Sequence, residues 1–278
     1  MRSIYPQRPS DEHAGDHVVV LDIESVVDEE PADGSFPKWP LHRPVVASFL
    51  TASLNDRRYQ FAMTSIVCKP GGESDFYQAV DAQMPSGATT IGFNSRGYDL
   101  PVLQLGAIAE RRFDLSGLSH HARAPRFGRS HCDLAEMYSL YGGTKRPSLS
   151  EICDRLGIPV KTSTHGSDVG ALWQAGDVAA ITRYCEEDVA ATYCAWLAHH
   201  AWRHSDEALI VRPLAAFAEW IEASPERAHL MPFATMPVTA WARPRALAIS
   251  VADALKHAER RVQRAADERA FSGEAVAF

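Results

Sequence analysis

Apolar and polar positions change period several times along this chain, and the changes mark its elements. Val18-Val19-Val20-Leu21 is an unbroken apolar block, the signature of a strand buried on both faces, and it runs on into Asp22-Ile23-Glu24. The first strand is therefore placed over 18–23. Val45–Leu54 and Arg58–Val67 are rich in β-branched and aromatic residues and flank Asn55-Asp56, which predicts a hairpin. Ser74–Met84 switches to helical spacing, and Ala88–Phe93 is a short strand. A helix follows over Leu100–Glu110, with Asp99 at its cap position and Pro101 in its first turn. Ser148–Leu156 opens with a capping box, Ser148 and Glu151, and ends at Gly157 before Pro159. Asp177 caps a long helix ending near His204.

Other stretches lack such a pattern. Residues 1–17 read as a flexible tail. Asp28–Pro44 is a loop rich in Pro, Gly and Asp, with Phe36 and Trp39 inside it and a place over any cleft nearby. Glu110–His131 has little periodicity and reads as a long exposed loop. Cys132–Tyr141 leads into a helix starting near Asp133, whose expected role is to cap it. Residues 205–278 are helical throughout, over 212–223, 225–231 and 244–270. The last of these carries a thin apolar stripe through Leu247, Val251, Leu255, Ala258 and Val262. That stripe either docks on the body or pairs with a helix of a protein partner, a second copy included. A hairpin followed by alternating strands and helices predicts an α/β fold, a mixed sheet with helices on its faces. The expected organisation is a tail (1–17), a main domain (18–204) and a helical C-terminal extension (205–278).

Composition narrows the class. Of 278 residues, 46% are hydrophobic and 23% charged, as in soluble globular proteins. No apolar run approaches the ~18 residues of a membrane span, so no membrane role and a cytoplasmic location are expected. The five cysteines are odd in number and form no Cys-x-x-Cys, which argues against a disulfide framework or zinc ribbon and for small core residues. A net charge of −7 excludes a general DNA-coating protein. It leaves room for an enzyme that meets nucleic acid at a metal-filled cleft.

The candidate chemistry lies at the strand ends. Residues i and i+2 of a strand share a face, so Asp22 and Glu24 project together. Carboxylates are rarely buried without a positive partner, and one divalent cation would serve both; a solvated strand end is the plainer alternative. Asp99 is either an N-cap or a further ligand. Tyr184 and Asp188 are i and i+4 on one helix face, on the inward side marked by Ile181, Val189 and Ala195. Their partners are a metal with its water, or, for Asp188, Arg183 or Arg155. Glu186 and Glu187 read as a solvated face. Four acids in one cleft would contribute −4, which two divalent cations cancel.

Asp22-x-Glu24, then Asn94-x3-Tyr98-Asp99, then Tyr184-x3-Asp188 resemble the three exonuclease motifs of the DEDD superfamily of 3′→5′ exonucleases. The tyrosine four residues before the last aspartate is similar to the DEDDy branch; the DEDDh branch has histidine five before it, where this chain has Arg183. Ile91–Leu103 resembles the proofreading domains of family B DNA polymerases. Ser148–Gly157, Gly166-Ser167-Asp168-Val169 and Tyr184–Asp188 resemble predicted stand-alone exonucleases related to those domains. The resemblance spans about residues 18–204, extending toward 235, and no polymerase motif follows. It implies an RNase H-like fold and phosphodiester hydrolysis with two cations, Mg²⁺ or Mn²⁺, of the kind that takes oxygen ligands. It also implies roles: Asp22 bridges both metals, Glu24 and Asp188 complete the first site, Asp99 acts on the second through water, and Tyr184 orients the attacking water.

The implied function is a metal-dependent 3′→5′ exonuclease acting on single-stranded ends, DNA ahead of RNA. An RNA-trimming exonuclease and a binding or scaffold module on a nuclease fold are the alternatives. Asn94 and the Gly92-Phe93 turn would lie beside the scissile nucleotide, with Phe93 either stacked on a base or part of the core. In the 110–131 stretch, Arg123, Arg126 and Arg129 are candidates for phosphate contacts, against a merely solvated loop. Lys145-Arg146 is a weaker candidate of the same kind, and His165 receives no role.

Overall fold

The computed structural model describes residues 17–29, 31, 35, 37–56, 58–160 and 168–272, the last four by backbone alone. The expected tail up to residue 16, Phe36, His165 and Gly166-Ser167 lie outside the described residues. Five strands form one sheet: β1 (His17–Val26), β2 (Arg43–Asn55), β3 (Arg58–Val67), β4 (Thr89–Gly92) and β5 (His131–Asp133). Their order is β3-β2-β1-β4-β5. β1–β2 and β2–β3 are antiparallel, whereas β1–β4 and β4–β5 are parallel. This is the mixed sheet expected of an RNase H-like fold.

The period-2 geometry of β1 divides the core. Val19, Leu21 and Ile23 face a layer built from α1 (Glu73–Ala82), α2 (Asp99–Ala109) and α3 (Ser116–Ala122). Val18 and Val20 face the opposite layer. That layer holds α4 (Leu134–Tyr138), α5 (Leu149–Leu156), α6 (Val169–Ala175), α7 (Val178–His204) and α8 (Ala208–Glu222). The four residues Val18–Leu21 are each at most 1% exposed, which is why the block carries no polar alternation. The predicted caps hold: Ser148 and Glu151 form the capping box, and Asp177 accepts from the Ala180 amide. The cysteines are all free thiols, four of them buried.

Three expectations are corrected. First, Glu110–His131 is not an exposed loop, because α3 lies within it. Leu115 and Leu118 pack with Met84 and Leu103. A Cβ on Gly117 would lie 2.3 Å from the Met84 carbonyl oxygen, so α3 sits hard against the end of α1. His121 is fully buried, with Nδ1 2.9 Å from the Ser130 carbonyl oxygen and Nε2 3.1 Å from that of Pro85. One short helix of seven residues offers too few positions to show a period.

Second, Asp99 is not a cap. Tyr98 occupies the cap position, and Asp99 is the first residue of α2. Its carboxylate is drawn instead to an unpaired strand amide, described below. Third, Glu186 and Glu187 are not a solvated face. Glu187 is buried, and Glu186 accepts a 2.6 Å hydrogen bond from Ser65 on β3, because the sheet covers that side of α7.

The extension shares the core of the sheet. Val211, Leu214, Phe217 and Ile221 of α8 pack with α7 and with Phe61 of β3, whose ring lies 5.3 Å from that of Phe217. After α9 (Met231–Thr235), α10 (Pro237–Ser272) begins against α8, with Ala242 buried. Ala246 and Ile249 keep α10 on the core and Asp253 pairs with Arg212 of α8, but the apolar stripe faces away: Leu247, Val251, Leu255 and Val262 are all more than half exposed. Docking on the main domain is therefore not what the stripe does. Among the described residues no helix is long and apolar enough to cross a membrane.

Candidate active site

The site forms where the sheet opens. β4 pairs with β1 only from Val18↔Thr89 to Val20↔Ile91, then turns away after Gly92. Beyond that point no strand among the described residues pairs with β1 on its β4 side, which leaves a crevice at the carboxyl ends of parallel strands. A side chain on Gly92 would sit 2.5 Å from Ser95, so the turn closes only with glycine. Ile23 donates its otherwise unpaired amide to Asp99 Oδ1 at 3.1 Å. Asp99 thereby stitches the start of α2 to the end of β1.

Asp22 and Glu24 continue the face of Val18 and Val20 and so point toward α7. α7 answers with Tyr184, Cys185 and Asp188. Ligand atoms of Asp22, Glu24 and Cys185 all lie within 4.8 Å of one another. The Cys185 thiol donates to the Asp22 carbonyl at 3.4 Å and to Asp22 Oδ2 at 3.6 Å. The Tyr184 hydroxyl is hydrogen-bonded to Asp188. The structure thus brings all five expected residues together and adds Cys185, which sequence reasoning missed.

Burial and like charge dominate the electrostatics. Burial first, then the charges of Asp99, Glu24 and Asp188, push the Asp22 carboxyl well above the usual range. Asp99 is pushed up to about 7, chiefly by burial, against the lowering effect of backbone hydrogen bonds that include Ile23. Burial, then Asp188, Glu24 and Asp22, hold the Tyr184 phenol far above its ordinary value. Cys185 is raised by burial and then by Asp22 and Glu24, so it remains a thiol and a donor. The charges that act on Asp22 are those of other carboxylates, Asp99, Glu24 and Asp188, and together the four acids are a set of hard oxygen donors. Divalent cations of the Mg²⁺ type fit that donor set.

Behind the acids a polar chain runs through the sheet to the extension. Cys185 is hydrogen-bonded to Ser48, and Ser48 Oγ lies 2.9 Å from Ser65 Oγ. Ser65 donates to Glu186. His229 Nε2 lies 2.7 Å from Glu186 Oε2, out of line for a hydrogen bond. Ser48, a fully buried polar residue inside an apolar strand, was the available sequence signal; His229 offered none. On the other side of the crevice, Ser25, His42 and Tyr98 interconnect at 2.6–2.9 Å. They fasten the segment after the Trp39–Leu41 turn, with Trp39 partly exposed, to β1 and α2.

The rim carries the expected substrate residues. Phe93 is half-buried against the α7-side core. Asn94 adopts a left-handed conformation (φ 58°), and its amide donates to Asp133 Oδ1 at 3.0 Å. The Arg146 guanidinium donates to the Asn94 side chain, so the weaker of the basic candidates reaches the rim. Asp133 caps α4 as expected, and also takes the Arg96 amide. The three arginines part company. Arg123 bonds the Ser119 carbonyl and lines a groove beside α2. Arg126 and Arg129 line a cleft of about 420 Å³ along β5. Arg126 pairs with Glu136 at 3.0 Å.

Comparison with known proteins follows the same lines. The fold is similar to that of the family B DNA polymerase of the hyperthermophilic archaeon Pyrobaculum calidifontis, with 19% identity, TM-score 0.43, and 72% of this chain and 26% of that one covered. Escherichia coli exonuclease I, solved with a dT13 oligonucleotide, gives 13% identity and TM-score 0.42, with 72% and 45% covered. The chain thus spans less than half the length of either. No curated protein matches it. A family model described as "Predicted 3'-5' exonuclease related to the exonuclease domain of PolB" matches residues 34–236, which takes in Asp99, Tyr184 and Asp188 while Asp22 and Glu24 precede it. By that match, over most of its length, the chain belongs to the family of predicted 3′→5′ exonucleases related to the exonuclease domain of PolB.

Proposed function

We propose that the chain is a DEDDy-type, divalent-metal-dependent exonuclease that removes nucleotides from the 3′ ends of single strands, DNA in preference to RNA. One observation carries this reading. Asp22 and Glu24, outside the span matched by the family model, fold against Asp99, Tyr184 and Asp188, inside it. The family's relation to a DNA polymerase domain supports DNA as the substrate.

Two cations, Mg²⁺ or Mn²⁺, would when bound stabilise the negative charge that develops on the entering and leaving oxygens. Asp22, Glu24 and Asp188 would hold one, and Asp22 and Asp99 the other. Asp22 would serve both, since the acids of β1, α2 and α7 all act on its carboxyl. The Cys185 thiol occupies one lone pair of Asp22 and holds its carboxylate in place. Tyr184 keeps its proton at neutral pH, so it orients the attacking water and does not serve as its base. Asn94, held by Asp133 and Arg146, and the half-buried Phe93 would bound the terminal nucleotide. Arg126 and Arg129 would meet phosphates further along, while Arg123 lies in a separate groove.

The test is direct. Single strands of DNA and RNA, labelled at the 5′ end, are incubated with the full chain in Mg²⁺ or Mn²⁺. Stepwise shortening from the 3′ end, abolished by EDTA, is the expected result. Shortening of RNA alone would overturn the DNA assignment, and no shortening of any strand with either metal would overturn the enzyme reading.

A further inference from the structure

The cleft along β5 takes no part in the carboxylate chemistry, yet three arginines and several histidines gather in its lining. Arg126 and Arg129 reach it from the segment after α3; His199, His200, Arg203 and His204 reach it from the last turns of α7. Among the described lining residues the one acid is Asp133. Its carboxylate is already engaged by the amides of Asn94, Arg96, Ala135 and Glu136. On a chain of net charge −7, this concentration of bases runs against the average. Basic residues at a helix C-terminus complement the macrodipole, which accounts for Arg203 and His204 but not for two arginines arriving from another segment.

Three further features describe what such a cleft would hold. Aromatic faces alternate with the cations. Trp196 and His200 stack at 4.8 Å, and Phe127, 75% exposed, meets Tyr141 at 4.7 Å. Trp196 is itself buried, so Phe127 is the exposed ring beside arginines of the kind on which bases stack. One wall is rigid: Arg126 is clamped by Glu136, by the Tyr141 carbonyl and by the Tyr141 ring. His199 Nδ1 is buried without a hydrogen-bond partner among the described residues. That nitrogen has no accessible surface, so the ring would have to turn for it to meet a ligand in the cleft. His131, by contrast, is bonded through both ring nitrogens, to Thr90 and Ser95, and belongs to the wall.

We propose that this cleft is a second, anion-binding site for the phosphate groups of nucleotides, separate from the carboxylate crevice. It shares one wall with that crevice, because Asp133 lines the cleft and also carries the Asn94–Arg96 turn of the catalytic rim. The phosphate belongs either to a strand whose 3′ end lies at the acids or to a free nucleotide. Only the first of these rests on the exonuclease reading.

The experiment uses the full chain in EDTA, so that nothing is cleaved. Binding of 5′-fluorescein-dT16 is followed by fluorescence anisotropy between 50 and 200 mM salt, for wild type, Arg129→Glu/Arg203→Glu and the milder Arg129→Gln/Arg203→Gln. Each variant is first checked for wild-type circular dichroism. Loss of two phosphate contacts should weaken binding at least about tenfold at low salt and lower the salt slope by about 1.4. In parallel, dTMP and inorganic phosphate are titrated against the imidazole proton signals of the wild type and the Gln variant. Strand binding that depends on the arginines, without a dTMP response, assigns the cleft to the strand. A dTMP response lost in the variant assigns it to the free nucleotide. Unchanged affinity and slope in both variants, with no arginine-dependent dTMP response, overturns the proposal, as does a response to inorganic phosphate equal to that for dTMP without any strand effect. The two readings fail separately. Cleavage by wild type with unaltered strand binding in both variants sinks the cleft alone; arginine-dependent binding without any cleavage sinks the exonuclease alone.

Discussion

The carboxylate crevice and the basic cleft lie on either side of Asp133 and are built in opposite ways. In the crevice, carboxylates of one sign are pressed together in a largely dry site, and each raises the others' affinity for protons. That arrangement costs stability until cations arrive. In the cleft, cations line an open surface where water screens them, so they cost little and attract at longer range. The difference is between a site that must fix oxygen atoms within a few ångströms and one that need only supply charge. The first leaves a motif in the sequence; the second draws on loop and helix-end residues that carry no spacing.

Removing an acid should produce the largest separation between the two. Asp188→Ala is expected to lower kcat by about 10³-fold or more, since several kcal/mol of charge stabilisation are lost. The same change should leave the salt slope of strand binding in EDTA as it was. A slope altered as much by Asp188→Ala as by the arginine variants would dissolve the distinction between the regions.

Next in size is a gain in stability. Asp99 titrates higher in the folded chain than in the unfolded one, so the folded state binds more protons between about pH 4 and 7. Its contribution therefore falls as pH rises through that window. Asp99→Asn removes the penalty while keeping an acceptor for the Ile23 amide. In EDTA its Tm should exceed wild type by about 5 °C at pH 8 and by much less at pH 4.5. Thermal melts with an equal gap at both values would show that the crevice is not charge-strained.

Tyr184→Phe should lower kcat by about tenfold, the scale of lost orientation of one reactant, and leave the Mn²⁺-induced rise in Tm intact. An unchanged kcat would remove Tyr184 from the chemistry. The smallest effect belongs behind the site. Ser65→Ala breaks the link between Glu186 and Ser48 and should cost about 1–2 kcal/mol in denaturant unfolding, since the acceptor is charged. A loss indistinguishable from zero would make that polar chain incidental.

Much of this was legible locally. The caps at Ser148 and Asp177, the β2–β3 hairpin and the pairing of Tyr184 with Asp188 rest on contacts between residues a few positions apart. The failures share a cause. Glu186 reads as solvent-facing because it is charged, but β3 of the sheet meets it through Ser65. The segment 110–131 reads as a loop because its helix is short and basic, though Leu115, Leu118 and His121 are buried by elements far away in sequence. Asp99 reads as a cap because it precedes a helix, but the open edge of β1 offers it a better donor.

The sequence by itself determined which residues share a face: Asp22 with Glu24 by the two-residue repeat of a strand, Tyr184 with Asp188 by the turn of a helix. Those relations follow from backbone geometry that every strand and helix obeys. Only the tertiary structure decided that the two faces meet, that β4 leaves the sheet just before Asp22, and that arginines from one segment join the histidines of another along β5. Such juxtapositions depend on how the layers pack, and no local period records them.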